Sequence, residues 1–471
     1  TTCFEPKLCA GDVCVGWRQD RVIDSCFEAM RWYTAFVGCG CFVVLLRQFT
    51  LHRAVQPSTP RGCARHNPSM VWMAPVMNPM GFSSEAQSYA VSIAAAYKGA
   101  GCADKFGIRQ FAAFETRGYA AGLPDDLSDT LDELFWNGRD PAPWTVAVCH
   151  STPDVWHLDG ASDWGQIDPC PPQNTTWAVG RAMYETDRLP AEWVPRINRM
   201  DEVWVPSRFA VDQFVSSGVE PSKIYVVPEG VDTEMFNPER YIASPPDVRA
   251  DVRFLSIFKW ERRKGWDVLL RAFFEEFSAE DPVSLSIKTQ AYLDAKGNFT
   301  ERVRDFVEGL GAAARRPLAR VNISAEDVEL TDFPRLYASA DAFVLPTRGE
   351  GWGRPLMEAM AMGLPVIATN WSGQTEFLRE GISLPLRIDG LEPVEPGSAP
   401  EGHLWAMPSV PHLRELMRWV VDHREEARRI GSRARASMLA DFRPDLVVRA
   451  HILPQLRRID EIIAGRADVA V

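Results

Sequence analysis

Two carboxylates in one short stretch, Arg348-Gly349-Glu350-Gly351-Trp352-Gly353-Arg354-Pro355-Leu356-Met357-Glu358, have the types and spacing to hold a polar, phosphorylated ligand. The apolar run Ala342 to Leu345 reads as a strand that stops at Pro346. A glycine-punctuated loop follows, and Pro355 suits the first position of a helix that Gly363 ends. The unpaired N–H groups and positive dipole end of such a helix are where a diphosphate prefers to sit. Gly351 and Gly353 allow close backbone approach there. Glu350 falls in the loop and Glu358 on the first helical turn. Helical side chains lean toward the N-terminus, so Glu358 is expected to face back to the ligand and accept hydrogen bonds from paired sugar hydroxyls, ribose being the natural partner. Taken alone, the same residues also read as a tight turn with a solvated glutamate, and context has to decide.

The context is a chain of 471 residues, more than one hydrophobic core usually serves, so two globular domains with an extension are expected. An apolar fraction of 46% with 24% charged residues is that of a packed soluble protein. A formal charge of -12 argues against broad electrostatic binding of nucleic acid and leaves room for a local basic pocket. Short apolar strand candidates recur at 71–76, 144–149, 202–206, 224–227, 254–258, 283–288, 342–345 and 365–369, with turns and amphipathic stretches between them. Near-continuous apolar strands alternating with helices predict α/β domains with doubly wound parallel sheets, divided near residues 228–250. Ser84-Glu85-Ala86-Gln87 has the form of a capping box opening a helix to about Lys98. Helical stripes at Trp266, Leu269, Leu270, Phe273, Phe274 and Phe277, and at Leu413, Leu416, Met417, Val420 and Val421, face a core. The Gly/Pro-rich segment Gly390 to Pro408 reads as a loop, and Glu425 to Arg435 as a solvated helix face.

All ten cysteines lie in the first 170 positions with no C-x-x-C spacing, so neither a zinc site nor any other metal is expected. Residues 34–46 form an apolar run too short for an ordinary spanning helix. They read equally as a signal anchor, which would give membrane association through residues 32–46, or as a buried hairpin. Location stays open accordingly, between cytoplasmic and anchored to an endomembrane.

The stretch 348–358 resembles the E-x7-E signature of the group 1 glycosyltransferases, the retaining GT-B family 4, and Pro365 to Thr369 fits the family's next strand; the resemblance runs from about Val71 onward. It implies two Rossmann-like domains facing across a cleft. The expected boundaries are an N-terminal extension and linker over 1–69, an acceptor domain over 70–235, a sugar-nucleotide domain over 236–440, and C-terminal helices over 441–471 packing back toward the first domain. Phe258 to Gly265 looks like the family's phosphate-binding stretch, with Lys259 where Arg is usual and Lys264 five positions on. Two cations there can stabilise a departing diphosphate without a metal, and the chain has no D-x-D tripeptide. Gly81 matches the glycine that faces the donor phosphates, and His150 the histidine near the donor sugar. Met183 to Pro190 and Pro228 to Asp232 also look like family segments, with Glu229 in place of the commoner Asn.

What the resemblance implies is transfer of a hexose from a nucleoside diphosphate sugar, as co-substrate, to a carbohydrate, lipid or protein-glycan acceptor, with retention and with no cofactor. Glu350 and His150 would act at the sugar. Gly81, Lys259, Lys264, Gly351, Gly353, Arg354 and Glu358 would hold the donor. A GT-B nucleotide-sugar epimerase and a non-catalytic GT-B scaffold are the alternatives. A paired-fold dehydrogenase would need G-x-G-x-x-G where Met77 to Phe82 stands. Neither the donor nor the acceptor is written in these motifs. Sequons stand at Asn174, Asn298, Asn322 and Asn370.

Overall fold

The computed structural model describes residues 67–469, apart from 80, 113–115, 117, 140–142, 158–159, 163–164, 242–251, 291–297 and 399. The apolar run at 34–46 and most of the cysteines therefore lie outside the described residues. No described helix is long and apolar enough to cross a membrane.

Two six-stranded parallel sheets organise the chain. The first holds β1 (Met70–Ala74), β2 (Phe106–Gln110), β3 (Val146–His150), β4 (Trp177–Arg181), β5 (Glu202–Val205) and β6 (Ile224–Val226) in the order β2-β1-β3-β4-β5-β6. The second holds β7 (Val252–Lys259), β8 (Val283–Gln290), β9 (Arg320–Ser324), β10 (Ala342–Leu345), β11 (Val366–Thr369) and β12 (Leu384–Leu386) in the order β9-β8-β7-β10-β11-β12. Every residue of β1, β3, β10 and β11 is buried, as strands covered by helices on both faces must be. The expected doubly wound α/β architecture is therefore present. Strands β2, β4, β9 and β12 escape sequence reading. Each is short, and β2, β4 and β9 carry arginines that break the apolar run.

Helix α1 (Gly81–Gly99) starts earlier than its capping-box form suggests. Ser84 is already helical, Glu85 turns into the core, and Gln87 gives its amide to the Val76 carbonyl at 2.8 Å. The turn before the helix is tied instead by the Ser83 hydroxyl to the Pro75 carbonyl. Buried tertiary partners outweigh the local cap.

Residues 390–408 are a second departure, because their two ends belong to an antiparallel hairpin, β13 (Ile388–Pro393) with β14 (Leu404–Pro408), and only the residues between the strands form a loop. Its prolines and glycines suggest a loop, yet β13 alternates half-buried and exposed residues at period two, and Trp405 is buried. The arginine-rich face also differs in one place. Most of it is solvated, but Arg435 bonds to the Phe236 carbonyl at 3.1 Å and to the Asn237 side chain at 2.9 Å, locking its helix to the interlobe linker.

Two chain crossings join the lobes, and they touch. Val231 donates to the Phe442 carbonyl at 2.8 Å, and Gly230 lies against Pro444. Beyond that crossing, Val447, Val448, Ile452, Leu456 and Ile459 join the core of the first sheet. In the same lobe Cys149, at the end of β3, is disulfide-bonded to Cys170 with Cα atoms 5.7 Å apart.

Candidate active site

In the second sheet the strand order reverses between β7 and β10, the point where a doubly wound sheet opens a crevice beyond its carboxyl ends. Lys259 ends β7, and Arg263 and Lys264 follow in a short turn closed by Gly265. The loop leaving β10 runs from Pro346 to Gly353 and leads into α8 (Arg354–Ala361). Gly353, with φ of 102°, supplies the left-handed turn into that helix.

Glu350 does not stand apart from the cations, because Lys264 Nζ lies 2.7 Å from both of its carboxylate oxygens and Arg263 Nη1 lies 3.3 Å from one of them. Burial would raise its pKa, but Lys264 and Arg263 hold it below the usual range. Its backbone N–H donates to Ser372 Oγ at 2.9 Å, and Ser372 is itself in the left-handed region at φ 70°. Arg263 also donates to the Gly349 carbonyl at 2.8 Å, so it shapes the loop from below. Lys259 loses proton affinity, first by burial and then by repulsion from Lys264. The site thus concentrates positive charge beside a helix N-terminus.

Glu358 lies on the second turn of α8, one turn later than the sequence suggests. Tyr337 donates its hydroxyl to Glu358 Oε2 at 2.6 Å, and burial raises the carboxyl's pKa against the pull of Arg354. Arg354 is engaged elsewhere too, with Nη1 3.1 Å from Glu229 Oε2 in the interlobe linker. The Glu229 that replaces the commoner Asn therefore holds a partner in the helix that follows the glycine loop.

On the opposite wall Gly81 is exposed, and a Cβ there would meet no protein atom within 4 Å. His150 requires a correction. It is fully buried beneath the Phe82 ring, 5.4 Å between centroids, and both nitrogens are used. The Trp72 indole, which can only donate, reaches Nδ1 at 3.1 Å, so Nε2 carries the proton toward Glu85 Oε2 at 3.1 Å. Glu85 also accepts from the buried Arg181 at 2.7 Å, and Arg181 donates to the Val227 carbonyl at 2.8 Å. The ring faces its own lobe. The apolar β3 conceals this, since the partners lie on β1, α1 and β4.

The lobes meet directly over the glycine loop. A Cβ on Gly349 would overlap the Glu185 carbonyl oxygen, and one on Gly351 would overlap Met183. At least part of the reason for these glycines is therefore the fit between lobes, which motif spacing cannot show. The β13–β14 hairpin continues the contact: His403 Nδ1 lies 2.8 Å from Thr186 Oγ1, and the Leu404 N–H donates to Asp187 at 2.7 Å. Arg348 anchors the hairpin from behind through Glu392 at 2.6 Å and a two-pronged bond to Asp267. Among the described residues, no group of three or more His, Cys, Asp or Glu side chains is arranged to hold a metal ion.

Residues 249–401 match the family model described as glycosyl transferases group 1. Curated relatives include a D-inositol 3-phosphate glycosyltransferase of Acidothermus cellulolyticus, 29% identical over 230 residues that cover 47% of each chain. A GDP-mannose-dependent alpha-(1-6)-phosphatidylinositol monomannoside mannosyltransferase of Mycolicibacterium smegmatis is 30% identical over 39% of this chain and 48% of its own. The matches span about half the length of these relatives. Among solved structures, a glycosyltransferase from Rickettsia africae superposes with a TM-score of 0.57 at 17% identity, covering 83% of this chain and 99% of its own. Anabaena HepE, solved with UDP and glucose, gives 0.53 at 15% identity over 85% of this chain and all of its own. These two carry the fold alone, and it is GT-B. Residues 249–401 therefore match the group 1 glycosyltransferases within a chain of GT-B fold.

Proposed function

We propose that the protein transfers a hexose from a nucleoside diphosphate sugar to a hydroxyl acceptor, with retention of configuration and without a metal. The observation that carries this reading is the cluster of Lys259, Lys264 and the N-terminus of α8 at the switch point of the second sheet. Two ammonium groups and the free N–H groups of a helix stabilise the charge that grows on a departing diphosphate, which is the role a divalent cation has elsewhere. Glu358 takes the ribose hydroxyls from the helix. Gly81 leaves room for the phosphates on the facing wall. Glu350 orders the lysine beside it and presents the loop to the sugar.

In the transfer itself the acceptor oxygen bonds to the anomeric carbon on the face that the diphosphate leaves. The anomeric C–O bond breaks with its electron pair going to the diphosphate, and the acceptor's proton passes to a diphosphate oxygen. No enzymic nucleophile is required, and none is assigned. The relatives named above are described as acting on D-inositol 3-phosphate and phosphatidylinositol monomannoside, so these two are the first acceptors to try.

The test is a panel of UDP-, GDP- and ADP-sugars, with and without these acceptors, read by nucleotide release and by NMR of the new anomeric centre. Release from one donor class and a product of unchanged anomeric configuration are expected. Interconversion of a free nucleotide sugar with no transfer would make the protein an epimerase. Full activity of Lys264→Ala would remove the phosphate role.

A further inference from the structure

Two features of the chain have no part in that transfer. All three cysteines among the described residues, Cys102, Cys149 and Cys170, are disulfide-bonded, and Cys149 joins Cys170 across the loop that leaves β3. Such bonds persist in oxidising compartments and are reduced where glutathione and thioredoxin act. The second feature is the setting of the four sequons, whose asparagines are all exposed. Asn370 adjoins the glycine loop, and the hydroxyl of its triplet, Ser372, is buried and bonded to the Glu350 N–H. Asn322 sits within the edge strand β9. Asn298 caps a helix, accepting from the N–H groups of Thr300 and Glu301.

Asn174 differs from these. It stands at the tip of the turn from Pro172 to Thr176, flanked by exposed Gln173 and Thr176, and its side chain makes no hydrogen bond to a described residue. Its φ of 64° is one that asparagine tolerates in turns. The turn is pinned at both ends, at Cys170 by the disulfide and at Thr176 and Trp177 by backbone bonds to the Trp144 and Thr145 carbonyls. A group attached to Asn174 would project into solvent and displace nothing.

We propose that Asn174 is an N-glycosylation site, and that this lobe matures in a compartment that both oxidises thiols and transfers oligosaccharides. The Asn174 amide nitrogen bonds to the anomeric carbon of an oligosaccharide carried on a lipid diphosphate. The anomeric C–O bond breaks, the diphosphate leaves with the electron pair, and one amide proton passes to the transferring enzyme's base. Both the disulfide and the exposed triplet call for the same compartment, and neither depends on the donor site.

The full chain is to be produced in eukaryotic cells twice, behind a cleavable signal peptide and in the cytosol, and mapped by peptide mass spectrometry after thiol alkylation. In the secretory form, peptide-N-glycosidase F should convert most Asn174 to Asp, and the Cys149–Cys170 peptide should be recovered intact. The cytosolic form should show both thiols alkylated and Asn174 unchanged. Asn174→Gln and Thr176→Ala should each remove the same single glycan, so a folding defect peculiar to one variant cannot mimic the result. An unmodified Asn174 in secretory chains that carry the disulfide overturns the assignment. So does equal oxidation of the cysteine pair in the cytosol, whatever the transferase assay shows.

Discussion

At the scale of the residue, the sharpest change in meaning concerns His150, which sequence places at the donor sugar and the fold places inside the first lobe. Its two bonds satisfy the Trp72 indole N–H and one oxygen of Glu85. His150→Ala should therefore cost about 1–3 kcal/mol for each buried polar group left without a partner, read from denaturant melts. Nucleotide release should fall no further than the folded fraction does; a much larger loss would return the ring to the donor. The carboxyls around it give opposite pH signatures. Burial and the charge of Glu85 push Glu229 up to about 8, against the pull of Arg354, from an ordinary value of 4.5. Between those values the folded chain keeps a proton that the unfolded chain has lost, so stability declines as pH rises across the window. Glu229→Gln should flatten that decline in denaturant midpoints measured on either side of the window. For Glu85 burial would raise the pKa, but Arg181 and His150 outweigh it and hold the carboxyl at about 2. Its contribution is complete above 4.5 and is lost as pH falls toward 2.

Among elements, the strands that sequence reading finds are those whose apolar runs are unbroken, and the carboxyl ends of β7 and β10 carry the site. What stays hidden is whatever depends on a partner far along the chain. Arg181 in β4 reads as a break in a strand until Glu85 of α1 meets it, and the β13–β14 hairpin reads as a loop until Arg348 and the segment 184–188 meet it. The proposed donor-site residues can be picked out in sequence because a diphosphate needs cations, glycines and a helix start close together along the chain. The lobe-to-lobe contact is not, because Gly349 and Gly351 face backbone and side chain some 165 residues away. Gly349→Ala should force the Glu185 carbonyl aside. Overpacking of this kind typically costs about 1–3 kcal/mol, and here the strain can be relieved by separating the lobes. The expected outcome is a larger radius of gyration by small-angle scattering, loss of transfer, and a nearly unchanged far-UV spectrum. The Cys149–Cys170 bond closes a loop whose cross-link is worth about 3 kcal/mol by chain-entropy reasoning. The double alanine variant should lower the melting temperature accordingly while leaving the second lobe's unfolding step in place.

For the whole molecule, the two crossings at 230–231 and 442–444 matter most, since they bond to one another and return the chain to the lobe where its described part begins. Leu456→Ala, in the returning helix, should cost about 2–5 kcal/mol and should destabilise the first lobe, not the second; hydrogen exchange of β1 and β3 is the direct measure. The same return has a consequence in time. Domains usually fold in the order in which they leave the ribosome, but here the core of the first sheet lacks Val447, Val448, Ile452, Leu456 and Ile459 until the second lobe has been made. The earlier lobe must wait, part of its apolar surface uncovered, for that returning helix to be synthesised, and it is the later lobe, with the proposed sugar-nucleotide site, that can be finished first.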